Sequence, residues 1–160
     1  MKRIKYLVMD VDGTLTDGKI YIGENGEIMK SFNVKDGYAI HNLLPLNGIT
    51  PVIITGRSSK IVVNRARDLG IELVYQGVAN KLELLMKLAS ESNTSLDEVA
   101  YIGDDNNDLD CIKACALSGC PADAAEEVKG NVAFISPYLG GAGAVRDFIE
   151  YIITRNNGEK

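Results

Sequence analysis

YLVMDVDGTLT, residues 6–16, is the stretch that decides the fold of this chain. Its first four residues are a continuous apolar run, which predicts a strand over residues 6–9 that is buried on both faces of a parallel sheet. Side chains alternate along a strand, so Asp10 and Asp12 point to the same side while the residue between them returns to the core. Gly13 then lets the chain leave the strand in a conformation closed to residues with a Cβ.

Two carboxylates this close allow two interpretations. They repel each other unless a cation lies between them or one of them holds a proton. The plainer interpretation is a strand-end turn with solvated aspartates, which is common for a single Asp-Gly pair. The whole string of two aspartates, a glycine and two threonines after an apolar strand favours a functional site.

Strand-like and helix-like patterns alternate along the rest of the chain, with short loops between them. This alternation predicts the α/β class, with a right-handed, doubly wound parallel sheet. Further strands are predicted over residues 51–54, 72–75, 99–102, 116–118 and 132–134. Helices are predicted over residues 36–46, 58–69 with Ser58 as the cap, 80–90, 122–128 and from about 143 onwards.

A β-hairpin is predicted between the first strand and the first helix. Asn25-Gly26 separates two strand-like runs and favours a two-residue turn, which places Ile22 opposite Met29. The hairpin then carries apolar residues on both faces, which it cannot bury by itself. Either one face lies on the hairpin's own domain, or the hairpin packs against other subunits, and we expect the second.

Composition limits the possible classes of protein. With 46% apolar residues in 160, the chain is expected to form one domain over residues 1–160, with a hairpin flap at about 19–33 and a C-terminal helix and tail at about 143–160. The net charge of −5, without a cluster of Lys and Arg, argues against a nucleic-acid partner. No apolar run approaches the ~20 residues that cross a bilayer, so we expect no membrane partner and a soluble cytoplasmic protein. Cys111, Cys115 and Cys120 are expected to be small buried thiols.

Chemically suggestive side chains fall at the ends of the predicted strands. Thr55 follows the second sheet strand, Asp104 and Asp105 follow the fourth, and Lys81 opens a helix. Ligands of such a sheet bind beyond the carboxyl ends of its strands, so these groups are expected to lie together with the aspartate pair. Thr55 or Lys81 alone carries little weight, because strand-to-helix loops often hold threonine and most lysines are solvated.

In the order aspartate pair, threonine, lysine, aspartate cluster, from Asp10 to Asp108, the chain resembles the haloacid dehalogenase superfamily of phosphoryl-transfer enzymes. The resemblance implies a Rossmannoid fold and a phosphatase, a phosphoric monoester hydrolase. It also implies that Asp10 is the nucleophile, which forms an aspartyl-phosphate, and that Asp12 is the general acid and base. Thr55 and Lys81 are then catalytic groups that bind the phosphoryl oxygens, Thr55 through its hydroxyl and its backbone N–H.

A phosphoryl group carries negative charge, so a site built from carboxylates needs a cation. Oxygen ligands indicate Mg²⁺, which we assign to Asp10, Asp104 and the backbone carbonyl of Asp12. Asp108 is expected to orient Lys81 or a water, and Asp105 to act in a similar supporting way.

Thr16–Asp36 holds only the hairpin, and Thr55–Lys81 only one helix and one strand, so the cap domain of many relatives is absent. With Gly-Gly-x-Gly-x-x-Arg near residue 146, the chain looks like one capless subgroup. That subgroup includes 3-deoxy-D-manno-octulosonate 8-phosphate phosphatases and the phosphatase-like part of acylneuraminate cytidylyltransferases. The resemblance implies a homotetramer with central hairpins and a phosphorylated 2-keto-3-deoxy sugar acid as substrate.

Cationic side chains are expected around the pocket of such a substrate, because it carries a carboxylate as well as a phosphate. Thr55, Gly56, Arg57, Arg65 and Lys81 are the predicted substrate-binding residues. The cationic candidates outside the catalytic set are Arg57, Lys60, Arg65 and Arg67, and donation of these side chains across a subunit boundary stays open. Arg57, directly after the phosphate-binding loop, favours the octulosonate over nine-carbon relatives.

Other interpretations stay open. The alternatives are a nonulosonate (neuraminate-type) 9-phosphate phosphatase and a non-catalytic tetramerisation module associated with a cytidylyltransferase. A receiver domain also phosphorylates an aspartate in a parallel sheet, but its acceptor follows the third strand, where this chain has no suitable residue after Tyr75.

Overall fold

The stretch quoted above forms a central strand of a parallel sheet. The computed structural model describes residues 2–158. The strands are β1 (Tyr6–Met9), β2 (Tyr21–Gly23), β3 (Gly26–Met29), β4 (Thr50–Ile54), β5 (Leu73–Tyr75), β6 (Val99–Ile102), β7 (Leu117–Cys120) and β8 (Phe134–Ile135). Six of them pair in the order β5-β4-β1-β6-β7-β8, and every pair in this sheet is parallel. The chain runs to one side of β1 and then to the other, so the strand order reverses beside β1.

Helices cover both faces of the sheet. They are α1 (Val34–Tyr38), a π-helical turn (Ala39–Leu43), α2 (Leu44–Leu46), α3 (Lys60–Leu69), α4 (Lys81–Glu91), α5 (Leu109–Ala114), α6 (Glu126–Lys129) and α7 (Ala144–Asn156). The segment from α1 to α2, together with α3 and α7, contributes to the core on one face, and α4, α5 and α6 contribute to the core on the other. The predicted doubly wound α/β fold with a hairpin insertion is confirmed.

The alternation of side chains along β1 explains why both faces are covered. Leu7 and Met9 are buried in one apolar core, and Val8 is buried in the other. Burying one such side chain contributes roughly 1.5–3 kcal/mol, so a strand that is apolar on both sides is stable only between two layers of helices.

The hairpin forms, but the predicted turn is wrong. Gly23 pairs with Gly26 and Ile22 with Glu27, so the turn residues are Glu24 and Asn25 rather than Asn25 and Gly26. The expected turn needs positive φ at both central residues. Of these two residues, only Gly26 has a positive φ, +108°. Asn25 therefore avoids the strain of a side chain at positive φ. A bulge after Tyr21 then changes the register again.

Helix boundaries differ from the prediction at two caps. The first helical segment begins at Val34, two residues early, because the side chain of Asn33 accepts the N–H groups of Lys35 and Asp36. Helix α3 begins at Lys60 with Ser59, not Ser58, as its cap. Both shifts arise because a neighbouring polar side chain was in a better position to accept the free N–H groups.

Residues 122–125 do not continue a helix as predicted. The N–H of Ala122 donates to the carbonyl of Tyr138 at 2.9 Å, and the N–H of Ala125 donates to the carbonyl of Asp104 at 2.8 Å. Because these donors serve other segments, α6 starts only at Glu126. The segment braces the loop after β6 instead. Of the predicted tail, residues 159 and 160 lie outside the described part of the chain.

The cysteines are unpaired, and the helices are too short or too polar to cross a membrane within residues 2–158. All three cysteines are free thiols; Cys111 and Cys120 are buried and Cys115 is half-buried. Within residues 2–158, no helix has both the length and the apolar character that crossing a membrane requires.

Candidate active site

The loop after β1 holds two carboxylates at the carboxyl edge of the sheet. The carbonyl of Val11 accepts hydrogen bonds of 2.9–3.2 Å from the N–H groups of residues 14–16, which turns the chain sharply. Asp10 is only 6% exposed. Asp12 is more open, with 18% of its side chain exposed. One carboxylate of the pair is therefore buried and the other lies at the mouth of the site.

Gly13 allows this loop to touch the loop after β6. Its φ is +94°, and a Cβ built on it would lie 2.0 Å from Oδ2 of Asp104. The hydroxyl of the next residue, Thr14, donates to Oδ1 of Asp104 at 2.9 Å. A glycine is required here for both conformation and space, and the contact brings Asp104 beside the first loop.

Three carboxylates meet at this contact. Asp10, Asp104 and Asp108 each offer an oxygen, and these oxygens lie within 4.8 Å of one another. Lys81, the first residue of α4, donates to Oδ1 of Asp10 at 2.8 Å and to Oδ1 of Asp108 at 2.7 Å. These residues were predicted to gather from their positions at strand ends, and the structure brings them together.

Asp108 holds the cluster in place, because each of its two carboxylate oxygens accepts two hydrogen bonds. Its Oδ1 also accepts the hydroxyl of Tyr101 at 2.5 Å. Its Oδ2 accepts the N–H groups of Asp104 and Asp105, at 3.0 and 3.2 Å. Because both oxygens are occupied and the side chain is fully buried, Asp108 orients Lys81 and the loop after β6.

The pKa values reflect the crowding of like charges. Burial raises the pKa of Asp104 to about 8, and the neighbouring Asp10 adds to the shift. Burial also raises the pKa of Asp10, assisted by Asp108 and opposed by Lys81. For Lys81, burial works against the charged form, but the two carboxylates outweigh it and raise its pKa.

This donor set fits a hard divalent cation. Asp10 and Asp104 are two carboxylates with like charges at short range, which a cation between them would relieve. Oxygen ligands of this kind are those that Mg²⁺ prefers. The single positive group that contacts the cluster within residues 2–158 is Lys81. When all three carboxyls are ionised, as they are with a cation bound, two of their three negative charges remain to be balanced.

Thr55 lies at the site, but one of its predicted contacts is wrong. The residue is 2% exposed and directly follows β4. Its backbone N–H, expected to bind phosphoryl oxygens, donates to the carbonyl of Tyr75 at 3.0 Å. The side-chain hydroxyl and the N–H of Gly56 remain as donors, since the Gly56 N–H makes no hydrogen bond within residues 2–158.

The hairpin contributes side chains to the mouth of the site, next to Asp12. Lys30 donates to Oδ1 of Asp12 and lies 3.0 Å from Oε2 of Glu27. Burial opposes the charge on Lys30, but the hydrogen bonds to Asp12 and Glu27 raise its pKa on balance. Arg57 lies 3.9 Å from Oδ2 of Asp12 and 3.7 Å from Glu27, with half of its side chain exposed. Arg57 therefore lies at the mouth of the site, beside Asp12.

Two predicted site residues make other side-chain contacts within the chain. Arg65 packs its guanidinium 5.5 Å from the ring centre of Phe32 and reaches the carbonyl of Asn33 at 3.5 Å. Asp105 is exposed, and its side chain caps the short 3-10 turn that begins at Asn106. Its contribution to the cluster is its backbone N–H.

Three residues of the site were not predicted from the sequence: Tyr101, Thr14 and Lys30. A tyrosine in a strand that is otherwise wholly apolar signals a buried hydroxyl that needs a partner, and Tyr101 could have been found by that rule. Thr14 belongs to the quoted stretch, but its partner follows another strand. Nothing in the sequence distinguishes Lys30 from a solvated hairpin lysine.

A family model for haloacid dehalogenase-like hydrolases matches residues 59–149, more than half of the chain. The chain therefore belongs to the haloacid dehalogenase-like hydrolases. The resemblance inferred from the aspartate pair is confirmed.

More specific relatives are phosphatases. The 3-deoxy-D-manno-octulosonate 8-phosphate phosphatase of Salmonella typhi is 41% identical over 152 residues, which cover 95% of this chain and 80% of the relative. That of Haemophilus influenzae is 38% identical over 153 residues, with 96% and 84% covered. These relatives and the family confirm the prediction that the chain is a phosphatase.

A solved structure gives the same result. The 3-deoxy-D-manno-octulosonate 8-phosphate phosphatase of Moraxella catarrhalis, in complex with a magnesium ion, a phosphate ion and a KDO molecule, superposes with a TM-score of 0.93. It is 38% identical, and the match covers 98% of this chain and 90% of that chain.

Proposed function

We propose that this protein is a Mg²⁺-dependent phosphatase that hydrolyses 3-deoxy-D-manno-octulosonate 8-phosphate. The observation that carries the proposal is the meeting of Asp10 and Asp104, with Lys81 bonded to Asp10 at 2.8 Å. It is the arrangement needed to bring a cation and a nucleophile to one phosphoryl group. Relatives with this activity span nearly the whole chain.

Asp10 is the nucleophile. Lys81 holds its Oδ1, so the carboxylate has a defined orientation when it attacks phosphorus. The new bond gives an aspartyl-phosphate, and the bond from phosphorus to the sugar oxygen breaks. Burial of Asp10 keeps water from competing at this step.

Asp12 is the general acid and base. It gives a proton to the departing sugar oxygen and then takes one from the water that hydrolyses the aspartyl-phosphate. Its partial exposure at the mouth of the site, 18% of the side chain, suits both contacts. Its position two residues from Asp10 places the two groups on the same side of the chain.

Asp10, Asp104 and the backbone carbonyl of Asp12 are the groups that would hold Mg²⁺. Bound there, the ion would supply positive charge that offsets the carboxylates and the phosphoryl oxygens. Asp108 keeps Asp104 in place through the backbone of the loop after β6.

The phosphoryl oxygens are bound by the hydroxyl of Thr55, the N–H of Gly56 and the ammonium of Lys81. Thr55 and Lys81 are almost fully buried, so their hydrogen bonds to phosphate act in a site that excludes water, where they are stronger than in solution.

Arg57 is the residue that binds the carboxylate end of the substrate. Its half-exposed guanidinium lies beside Asp12, where a sugar attached to the phosphate would leave the pocket. Within its own chain Arg65 contacts Phe32 and Asn33, so we assign its role in substrate binding to the pocket of a neighbouring subunit.

We also propose that the chain forms one domain, acts in the cytoplasm and assembles as a homotetramer through its hairpins. The support for assembly is the exposure of apolar side chains on the hairpin, with Ile22 at 64%, Ile28 at 63% and Met29 at 47%. Exposed clusters of this kind mark protein contacts.

A phosphate-release assay tests the function. We expect Mg²⁺-dependent release from the octulosonate phosphate, loss of that release in Asp10→Asn, and a kcat/KM higher than for neuraminate-type 9-phosphates. A higher kcat/KM on the nine-carbon substrates would instead favour a nonulosonate phosphatase. Full-length protein without any Mg²⁺-dependent release would indicate a non-catalytic module.

A further inference from the structure

Lys30 is a buried lysine that the proposed reaction does not use. Only 1% of its side chain is exposed, although it lies on a hairpin of three- and four-residue strands. Its ammonium donates to Oδ1 of Asp12 and lies 3.0 Å from Oε2 of Glu27. A buried ammonium is unfavourable unless it is paired and hydrogen-bonded, and both of its partners are carboxylates at the mouth of the site.

Glu27 is itself fixed by the start of α3. Its Oε1 accepts the hydroxyl of Ser59 at 2.6 Å. Ser59 is the cap of that helix, and its oxygen also accepts the N–H of Ile61 at 3.2 Å. The chain of contacts therefore runs from a rigid helix end through Glu27 and Lys30 to Asp12.

The two lysines of the site contact different carboxylates. Lys81 contacts Asp10 and Asp108, and Lys30 contacts Asp12. Because Lys30 holds Oδ1, the other oxygen of Asp12 is left beside exposed Arg57, at 3.9 Å from its Nε. That oxygen is the one available to a departing sugar.

We infer that Lys30 is a positioning residue for Asp12, held in turn by Glu27, and that the hairpin thereby completes the acid–base half of the active site in its own chain. This role rests on the proposed phosphatase function. It assigns the hairpin a task in catalysis beyond contact with other subunits.

The role acts on one event in the reaction. When the bond from phosphorus to oxygen breaks, its electron pair goes to the leaving oxygen, and Asp12 supplies the proton to that oxygen. Proton transfer requires a donor within hydrogen-bond reach in a defined orientation. A substrate with a poor leaving group needs that proton, whereas p-nitrophenolate leaves without it.

Leaving-group dependence therefore tests the inference. We would measure kcat/KM of Lys30→Met, Glu27→Gln and Lys19→Met on the octulosonate phosphate and on p-nitrophenyl phosphate. Lys19 is the matched control, a hairpin lysine with 73% of its side chain exposed. Thermal unfolding of each variant would report whether it folds.

We expect Lys30→Met to lower kcat/KM about 30-fold on the sugar phosphate and less than about threefold on p-nitrophenyl phosphate. Asp12→Asn should show the same preference more strongly. Glu27→Gln should shift the ratio of the two rates about threefold in the same direction, and it serves as the test if Lys30→Met does not fold. Lys19→Met should change neither rate.

Three results would overturn the role of Lys30. Equal losses on both substrates would indicate a structural role, unchanged rates would indicate no role, and a rise in KM alone on the sugar phosphate would indicate substrate binding. In each case the wild-type protein remains an active phosphatase. A wild-type protein inactive on both substrates would overturn the proposed function itself, and this role with it.

Discussion

Tyr101 donates its hydroxyl to Oδ1 of Asp108 at 2.5 Å, and both side chains are completely buried. Burial, reinforced by Asp108, raises the pKa of Tyr101 well above its ordinary value, so the phenol remains a donor. The same oxygen accepts the ammonium of Lys81 at 2.7 Å. A strand residue of the core is thus connected through Asp108 and Lys81 to the carboxylate of Asp10.

Tyr101→Phe should loosen this connection. It removes one hydrogen bond to a buried charged group, which lowers the free energy of unfolding by about 1.5–3 kcal/mol. We expect kcat to fall about tenfold, because Lys81 then orients Asp10 less well. Urea unfolding and steady-state kinetics measure the two effects. In Tyr75→Phe, where no hydrogen bond of the phenol is present within residues 2–158, both quantities should stay close to wild type.

Metal-free protein should lose stability as pH rises. The pKa of Asp104 is raised to about 8 by burial and by Asp10, far above the ~3.9 of an unfolded aspartate. A carboxyl with a raised folded-state pKa binds its proton more tightly when folded. Its contribution is present below the unfolded pKa and lost as pH rises to the folded pKa.

Urea unfolding in the presence of a chelator, between about pH 5 and pH 8, measures this loss. We expect Mg²⁺ to restore stability most at the upper end of the range, where the carboxylates are charged. Asp104→Asn should flatten the pH dependence and abolish the response to Mg²⁺. An unchanged slope in that variant would show that Asp104 is not the titrating group.

The sequence was enough to predict the sheet and the residues of its carboxyl edge. Apolar runs end at Asp10, Thr55 and Asp104 because a strand buried on both faces can carry polar groups only where it leaves the core. These groups are far apart in the sequence, and their spacing along the chain does not show whether they are close in space. The rule that ligands bind where the carboxyl ends of parallel strands meet predicts that they are close.

The predictions failed where several polar groups compete for the same hydrogen-bond partner and the fold determines which one binds it. Ser59 and Ser58 are equally good caps in sequence, and only the fold determines which one meets the free N–H groups. The pairing of Lys30 with Asp12 depends on a hairpin register that was wrongly predicted at Asn25. Long-range contacts of this kind leave no local pattern.

Gly13→Ala should lower activity strongly. The added Cβ would lie 2.0 Å from Oδ2 of Asp104, in a backbone conformation with φ +94°. The loop after β6 must then move, which separates Asp104 from Asp10. We expect kcat to fall at least about 100-fold, since misplacement by about 1 Å has that effect.

Gly48→Ala is the matched control. Gly48 has φ +68°, and a Cβ there would meet nothing within 4 Å. Both variants carry the strain of a side chain at positive φ, roughly 1–2 kcal/mol. Only Gly13→Ala should lose activity. Equal kinetic losses would mean that the strain, rather than the contact with Asp104, is responsible.

The exposed apolar face of the hairpin gives the last prediction. Ile22 and Ile28 are each more than 60% exposed. Contact of these apolar side chains with water is unfavourable, which favours their burial between subunits. Glutamate at both positions would place charges in that contact, so we expect the double variant to sediment as a monomer and the wild type as a tetramer. Leu46→Glu, at an apolar residue 81% exposed on α2, should leave the assembly intact.

If the hairpins of neighbouring chains also close the site, the monomeric variant should show a higher KM for the sugar phosphate. Its kcat should be largely retained, because Lys30 and Asp12 belong to the same chain. A double variant that remains a tetramer would show that the subunits meet elsewhere.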